Sequence, residues 1–75
     1  MAEALSMAHV VALFGWICED SARALVAARV SLDDLVLSRN LDKELRAMGV
    51  KPWGDRRRVL SDVGFVRAEW EHGAY

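Results

Sequence analysis

Hydrophobic residues recur at steps of three and four through most of this 75-residue chain, which is the spacing of one face of a helix. The clearest series lies in the last third of the chain, at Val59, Leu60, Val63, Val66 and Trp70. It predicts a long final helix over about 54–70, followed by a frayed tail over 71–75. β-branched residues never alternate with polar residues over the length of a strand, so no sheet is expected. The pattern predicts an all-α fold.

Hydrophobic spacing and a helix-capping residue predict two helices in the first part of the chain, up to about Arg29. The first is predicted over about 3–17, and it is apolar on more than one side. Its buried face is therefore either Met7, Val10, Val11, Phe14 and Ile17 or the set led by Val10, Leu13 and Trp16. Asp20 or Ser21 is expected to cap the second helix, which continues to about Arg29.

Two further helices are predicted from their caps. Ser31 precedes a short third helix and has Asp34 at the capping-box position. Asn40 caps the fourth helix, which ends at Gly49, where a positive φ costs glycine least. Pro52 cannot continue that helix and suits the turn before the next one. The prediction is a single bundle of five helices, with the last one longest.

Length and composition indicate one small domain over residues 1–75, with its core within about 7–70. The composition is 53% hydrophobic, which is too high for a disordered chain. The residues expected in the core are Leu13, Leu25, Leu35, Leu45, Met48, Val59, Leu60 and Val63. Cys18 lies in an apolar segment and is expected to be an ordinary buried thiol.

The apolar run over 10–18 is much shorter than the roughly 20 residues that a membrane span needs. Glu3 stands where a signal peptide would carry basic residues. We therefore expect no membrane span and an intracellular location, in the cytoplasm or alternatively in the nucleus. The net charge of −1 does not by itself indicate a nucleic-acid partner.

A resemblance to a known family is carried by the stretch from Leu45 to Val63. The residues that match are Leu45, the pair Gly49 and Val50, Gly54, the basic Arg56, and the pair Val59 and Leu60. They resemble the second half of a sterile alpha motif (SAM) domain, a five-helix module for protein–protein contacts. The resemblance implies assembly with the same chain or with another domain of the family, as in signalling scaffolds, and no enzymatic activity.

Two charged regions match the surfaces through which such domains join head to tail. The basic region, named here the end-helix surface, comprises Lys51, Trp53, Gly54, Arg56, Arg57 and Arg58. The acidic region, named the mid-loop surface, comprises Asp33, Asp34, Asp42 and Glu44. Cations at a helix start are locally unfavourable, which suggests that they have a use. We expect Arg56 to be solvated there and to face an acidic residue of the next copy.

The tryptophans allow different interpretations. Trp53 either covers the core or is an exposed anchor, since Trp is common among binding hot spots. Trp16 and Trp70 are expected in the core.

An alternative function starts from the same glycines. The turn between the last two helices resembles a helix-hairpin-helix, which holds a DNA or RNA phosphate at a helix start. No spacing indicates a metal site, a catalytic set or a phosphate loop. We therefore expect no cofactor, no metal and no small-molecule substrate.

Overall fold

Five α-helices make up most of the part of the chain that the computed structural model describes, residues 3–72. They are α1 (Met7–Phe14), α2 (Glu19–Ala27), α3 (Leu32–Leu37), α4 (Leu41–Met48) and α5 (Trp53–His72). Apart from an isolated antiparallel bridge between Ala4 and Ser31, these residues form no β pairing. The predicted all-α bundle with a long last helix is confirmed. None of the described helices is both long and apolar enough to cross a membrane.

The first two helices differ from the prediction at their ends. Ser6 and His9 form a reciprocal capping box, so α1 begins later than position 3. It ends at Gly15, whose φ of +67° leaves the helical region. Cys18, not Asp20 or Ser21, is the N-cap of α2. Ser21 instead lies inside the helix and is buried, so the predicted cap is wrong.

The caps of the next two helices are confirmed. The Ser31 hydroxyl accepts from the Asp34 backbone N–H, and the Asp34 carboxylate accepts from the Ser31 N–H at 2.9 Å. Asn40 accepts from the Lys43 N–H at the start of α4. Gly49 ends α4 in the left-handed region at φ +105°.

The last helix starts at Trp53, one residue earlier than predicted, and continues to His72. Glu71 and His72 belong to it, although the prediction had the tail fray from position 71. The rest of that predicted tail, 73–75, lies outside the described residues. α5 packs against α1, α3 and α4, so it is the element around which the bundle is organised.

All five helices contribute residues to the core, as do the segment before α1 and the connection between α4 and α5. Its buried hydrophobic residues are Leu5, Val10, Phe14, Ala22, Leu25, Leu35, Val36, Leu41, Leu45, Val50, Val59 and Val63. Of the predicted core, Leu13, Met48 and Leu60 are only half-buried and pack against this cluster. The remaining predicted core residues are buried as expected.

Three residues that were expected inside lie at the surface. Trp16 is 92% exposed, because Gly15 ends α1 and the chain turns away before the tryptophan. Trp70 is 43% exposed. It lies one turn beyond Arg67 on α5. The Arg67 guanidinium donates hydrogen bonds to the carbonyl oxygens of Val36 and Ser38 at the end of α3. Cys18 is exposed at the start of α2. These predicted burials are wrong.

Candidate interaction surfaces

Arg56 is the residue of the end-helix surface whose environment differs most from the prediction. It is only 8% exposed, whereas a solvated side chain was expected. Its Nε donates to Asp42 Oδ1 at 2.8 Å, and its Nη1 donates to the carbonyl oxygens of Val50 and Lys51. Its guanidinium lies 5.5 Å from the centre of the Trp53 ring. Arg56 therefore fastens the connection between α4 and α5 from inside.

A sequence signal for this burial exists. Arg56, Val59 and Val63 follow one another at steps of three and four, which puts the arginine on the same face of α5 as two core residues. The charge of the side chain suggested solvent, while its position in the helix indicated burial. The hydrogen bonds to backbone carbonyls make burial of the charge possible.

Asp42 is consequently engaged within its own chain. It accepts from Arg56 and also lies 3.4 Å from Arg46 Nε on the same helix. The expected pairing of Arg56 with an acidic residue of another copy is therefore replaced by an intramolecular pair. Asp42 and Arg56 are therefore not available to bind a partner. The other charged residues of the two surfaces determine what these surfaces can bind.

The rest of the end-helix surface is open to solvent. Lys51, Trp53, Gly54 and Arg57 are exposed, with Trp53 at 59%. Within residues 3–72, no carboxylate pairs with Lys51 or Arg57. Of the two alternatives for Trp53, a cover of the core or an exposed side chain, the structure shows the exposed one. The Arg56 guanidinium lies over its ring.

Arg58 has a different position from Arg57. Its Nε lies 3.3 Å from Asp62 Oδ2, one turn further along α5. A Cβ placed on Gly15 would lie 3.1 Å from Arg58 Nη2, so the guanidinium covers the backbone at the end of α1. Part of the positive charge of Arg58 is therefore balanced by Asp62.

Trp16 adjoins the end-helix surface, although sequence reasoning assigned it to the core. It lines a shallow depression together with Gly54, Arg57 and Arg58. The available signal was Gly15, which ends α1 immediately before it. The end-helix region thus presents two exposed indoles, Trp16 and Trp53, beside Lys51 and Arg57, which form no ion pair within residues 3–72.

Asp55 holds the Trp16 segment against α5. Its Oδ2 accepts from the Ser21 hydroxyl at 2.7 Å and from the Cys18 backbone N–H at 3.3 Å. Partial burial raises the pKa of Asp55, but the hydrogen bonds from Ser21 and Cys18 outweigh it, and the net direction is below the ordinary value. The carboxylate is therefore the form that joins the start of α2 to the start of α5.

The mid-loop surface keeps three acidic residues after Asp42 is removed. Asp34 is exposed and accepts from the Ser31 N–H, and Glu44 is exposed and accepts from the Ser38 hydroxyl. Asp33 is half-buried. In the described part of the chain, no cation pairs with any of these three carboxylates.

A groove between α3 and α4 brings two of these acids together. Asp34 and Glu44 line it, while Asp33 and Asp42 do not. Its volume is about 990 Å³, and its apolar lining includes Ala28, Val30, Leu37, Ala47 and Met48. Arg39 and Lys43 also line it. The groove shares no lining residue with the depression beside Trp16, while the Asp42–Arg56 pair connects the two named surfaces.

Comparison with known proteins adds no assignment. No family model, curated protein or solved structure matches this sequence. The SAM resemblance therefore rests on the residues from Leu45 to Val63 named above. Among residues 3–72, no three His, Cys, Asp or Glu side chains are grouped so as to hold a metal ion.

Proposed function

We propose that this chain is a protein-interaction module that joins head to tail with copies of itself. The main support is that each surface keeps exposed charges of its own sign that form no ion pair within residues 3–72. Lys51 and Arg57 lie on the end-helix surface, and Asp34 and Glu44 lie on the mid-loop surface. Opposite potentials of this kind steer two surfaces together and set their register.

Apolar area accompanies the charge on both surfaces. Trp53 is exposed beside the cations, and Leu37 is 74% exposed at the groove. Aromatic side chains and arginines are the residues that most often dominate the affinity of an interface. The combination supports a contact in which burial of apolar area gives affinity and charge gives selectivity.

The separation of the two surfaces determines the kind of assembly. A copy bound through its end-helix surface still has its mid-loop surface free for another copy. Contacts of this heterologous kind produce an open filament unless the rotation between copies closes a ring. Another domain with a matching surface could take the place of the second copy, as the SAM resemblance implies. The proposal includes no catalytic step.

Charge reversal at one exposed residue of each surface tests the proposal. In sedimentation velocity at rising concentration, the wild-type chain should form a growing series of species, and Arg57→Glu or Glu44→Lys should each prevent it. Arg23→Glu and Glu3→Lys are matched controls, because both residues are exposed and line neither the groove nor the depression. Wild-type protein that stays monomeric, or assembly unchanged in both surface variants, would refute the proposal.

Nucleic-acid binding is the alternative function, and titration with an oligonucleotide tests it. The structure weakens that alternative, because Arg56 is buried and Arg58 is paired with Asp62. Two exposed cations without intramolecular partners among residues 3–72, Lys51 and Arg57, remain in the cluster. A monomeric chain that bound a DNA or RNA oligonucleotide with a steep salt dependence would favour this alternative over self-assembly.

A further inference from the structure

The Trp16 side chain is not part of the core, although it is large and apolar. It is 92% exposed, the highest value among the large hydrophobic residues of the described chain. The segment that carries it is nevertheless held in place by the bonds of Asp55 to Cys18 and Ser21. Because the backbone that carries the indole is held in place, little conformational freedom is lost when the side chain binds. An aromatic side chain also has a large area to bury, roughly 150–250 Å².

The α3–α4 groove has the size and lining that such a side chain needs. Its apolar walls come from Ala47 and Met48 on α4 and from Leu37 at the end of α3. Its cations, Arg39 and Lys43, have no carboxylate partner within residues 3–72. Cations in that position can stack on the face of an indole.

We infer that Trp16 of one copy inserts into the α3–α4 groove of the next copy and anchors the assembly. This inference rests on the proposed head-to-tail function, and it names the side chain and the groove that meet. Charge supports the pairing at particular residues: the depression beside Trp16 carries Arg57 and Arg58 against one carboxylate, Asp55, and the groove offers Asp34 and Glu44 next to its own cations, Arg39 and Lys43. The insertion therefore allows Arg57 of one copy to pair with Asp34 or Glu44 of the other, none of which has an ion-pair partner among residues 3–72, while Arg39 and Lys43 are left to contact the indole.

Removal of the indole is the direct test. Trp16→Ala should weaken self-association by roughly tenfold or more, as expected for a hot-spot residue. Phe65→Ala is the matched control, because Phe65 is 71% exposed on α5 and lines neither surface. Both variants should keep the wild-type helical circular dichroism and Tm, because both side chains are exposed.

Blocking the groove tests the other half of the contact. Ala47→Arg places a long side chain in the groove and should abolish chain growth by itself. Trp16→Ala keeps the groove, and Ala47→Arg keeps the indole, so an equimolar mixture should form a heterodimer that grows no further. In the wild-type chain, the indole N–H resonance of Trp16 should shift between dilute and concentrated samples more than that of Trp70.

The outcomes separate this inference from the function on which it rests. If Arg57→Glu prevents assembly while Trp16→Ala associates like the wild type, the role of Trp16 is wrong and the proposed function stands. If Trp16→Ala, Ala47→Arg and Glu44→Lys each prevent assembly while Arg57→Glu does not, the anchor is supported and only the role of Arg57 is wrong. A wild-type chain that remains monomeric overturns both.

Discussion

Arg56 Nε donates to Asp42 Oδ1 at 2.8 Å and so joins the first turn of α5 to the first turn of α4 within one chain. The arginine side chain is 9% exposed and the aspartate side chain 32% exposed, so water screens the pair only in part. Two carbonyl oxygens of the α4–α5 connection accept from the same guanidinium. The pair therefore ties the start of α5, and with it the end-helix surface, to α4.

Loss of this guanidinium should destabilise the fold and not only an interface. Arg56→Ala should lower the free energy of unfolding by about 1–3 kcal/mol, because carbonyl groups and a carboxylate lose their donor. Arg57→Ala, the neighbouring exposed arginine, should change it by less than about 0.5 kcal/mol. Urea denaturation of the two variants measures the contrast, and equal midpoints would contradict the buried role of Arg56.

Asp55 should make stability depend on pH in the acid range. Because its pKa is lowered in the folded state, the carboxylate is favoured by folding, and this contribution is fully present above the unfolded value of 3.8. It is lost as the pH falls through the lower folded pKa. Thermal melts of the wild type and Asp55→Asn should therefore converge as the pH is lowered towards about 2. A difference in Tm that is the same at neutral pH and at the acid end would be inconsistent with this origin.

Leu45 tests the predicted core at a position where prediction and structure agree. It is fully buried on α4, so Leu45→Ala should cost about 2–5 kcal/mol, enough to unfold a domain of marginal stability. Leu37→Ala is its control, since that leucine is 74% exposed. Calorimetry showing the same Tm for both variants would mean that the buried face of α4 has been misidentified.

Two glycines should respond to alanine in opposite directions. Gly49 has φ +105°, which an alanine adopts only with strain, so Gly49→Ala should destabilise by about 1–3 kcal/mol. Gly64 lies inside α5, and a Cβ added there would meet no neighbouring side chain within 4 Å, so Gly64→Ala should stabilise by about 0.5–1 kcal/mol. Chemical denaturation of both variants checks the opposite signs, and a stabilised Gly49→Ala would rule out the left-handed cap.

Local signals in the sequence account for the parts of the fold that were predicted well. Ser31, Asn40 and Gly49 act on backbone groups within a few residues, so their roles can be read without knowing the tertiary structure. Ser21 shows the limit of such reading. It resembles a helix cap, but its hydroxyl donates to Asp55, 34 residues away, a contact that exists only because the tertiary structure brings the starts of α2 and α5 together.

The end-helix and mid-loop surfaces were predicted less well. The charge or hydrophobicity of a residue does not reveal which side of a helix packs against the rest of the protein. Arg56 and Arg57 are neighbours in sequence and identical in chemistry, yet one is buried and the other exposed. Both stand three residues before a predicted core residue, and the packing of α5 distinguishes them: Arg56 shares the face of buried Val59, and Arg57 that of half-buried Leu60. Trp16 is exposed because Gly15 ends α1 before it, a backbone effect that outweighs the apolar character of the residue.

Mixing two charge-reversal variants tests the central claim, head-to-tail association, most directly. Arg57→Glu keeps its mid-loop surface and Glu44→Lys keeps its end-helix surface, so one intact contact can form between them. In sedimentation velocity at low salt, each variant alone should be monomeric, and an equimolar mixture should give a heterodimer and no larger species. A mixture in which both variants remain monomeric while the wild type assembles, or variants that each still form long assemblies alone, would contradict the account.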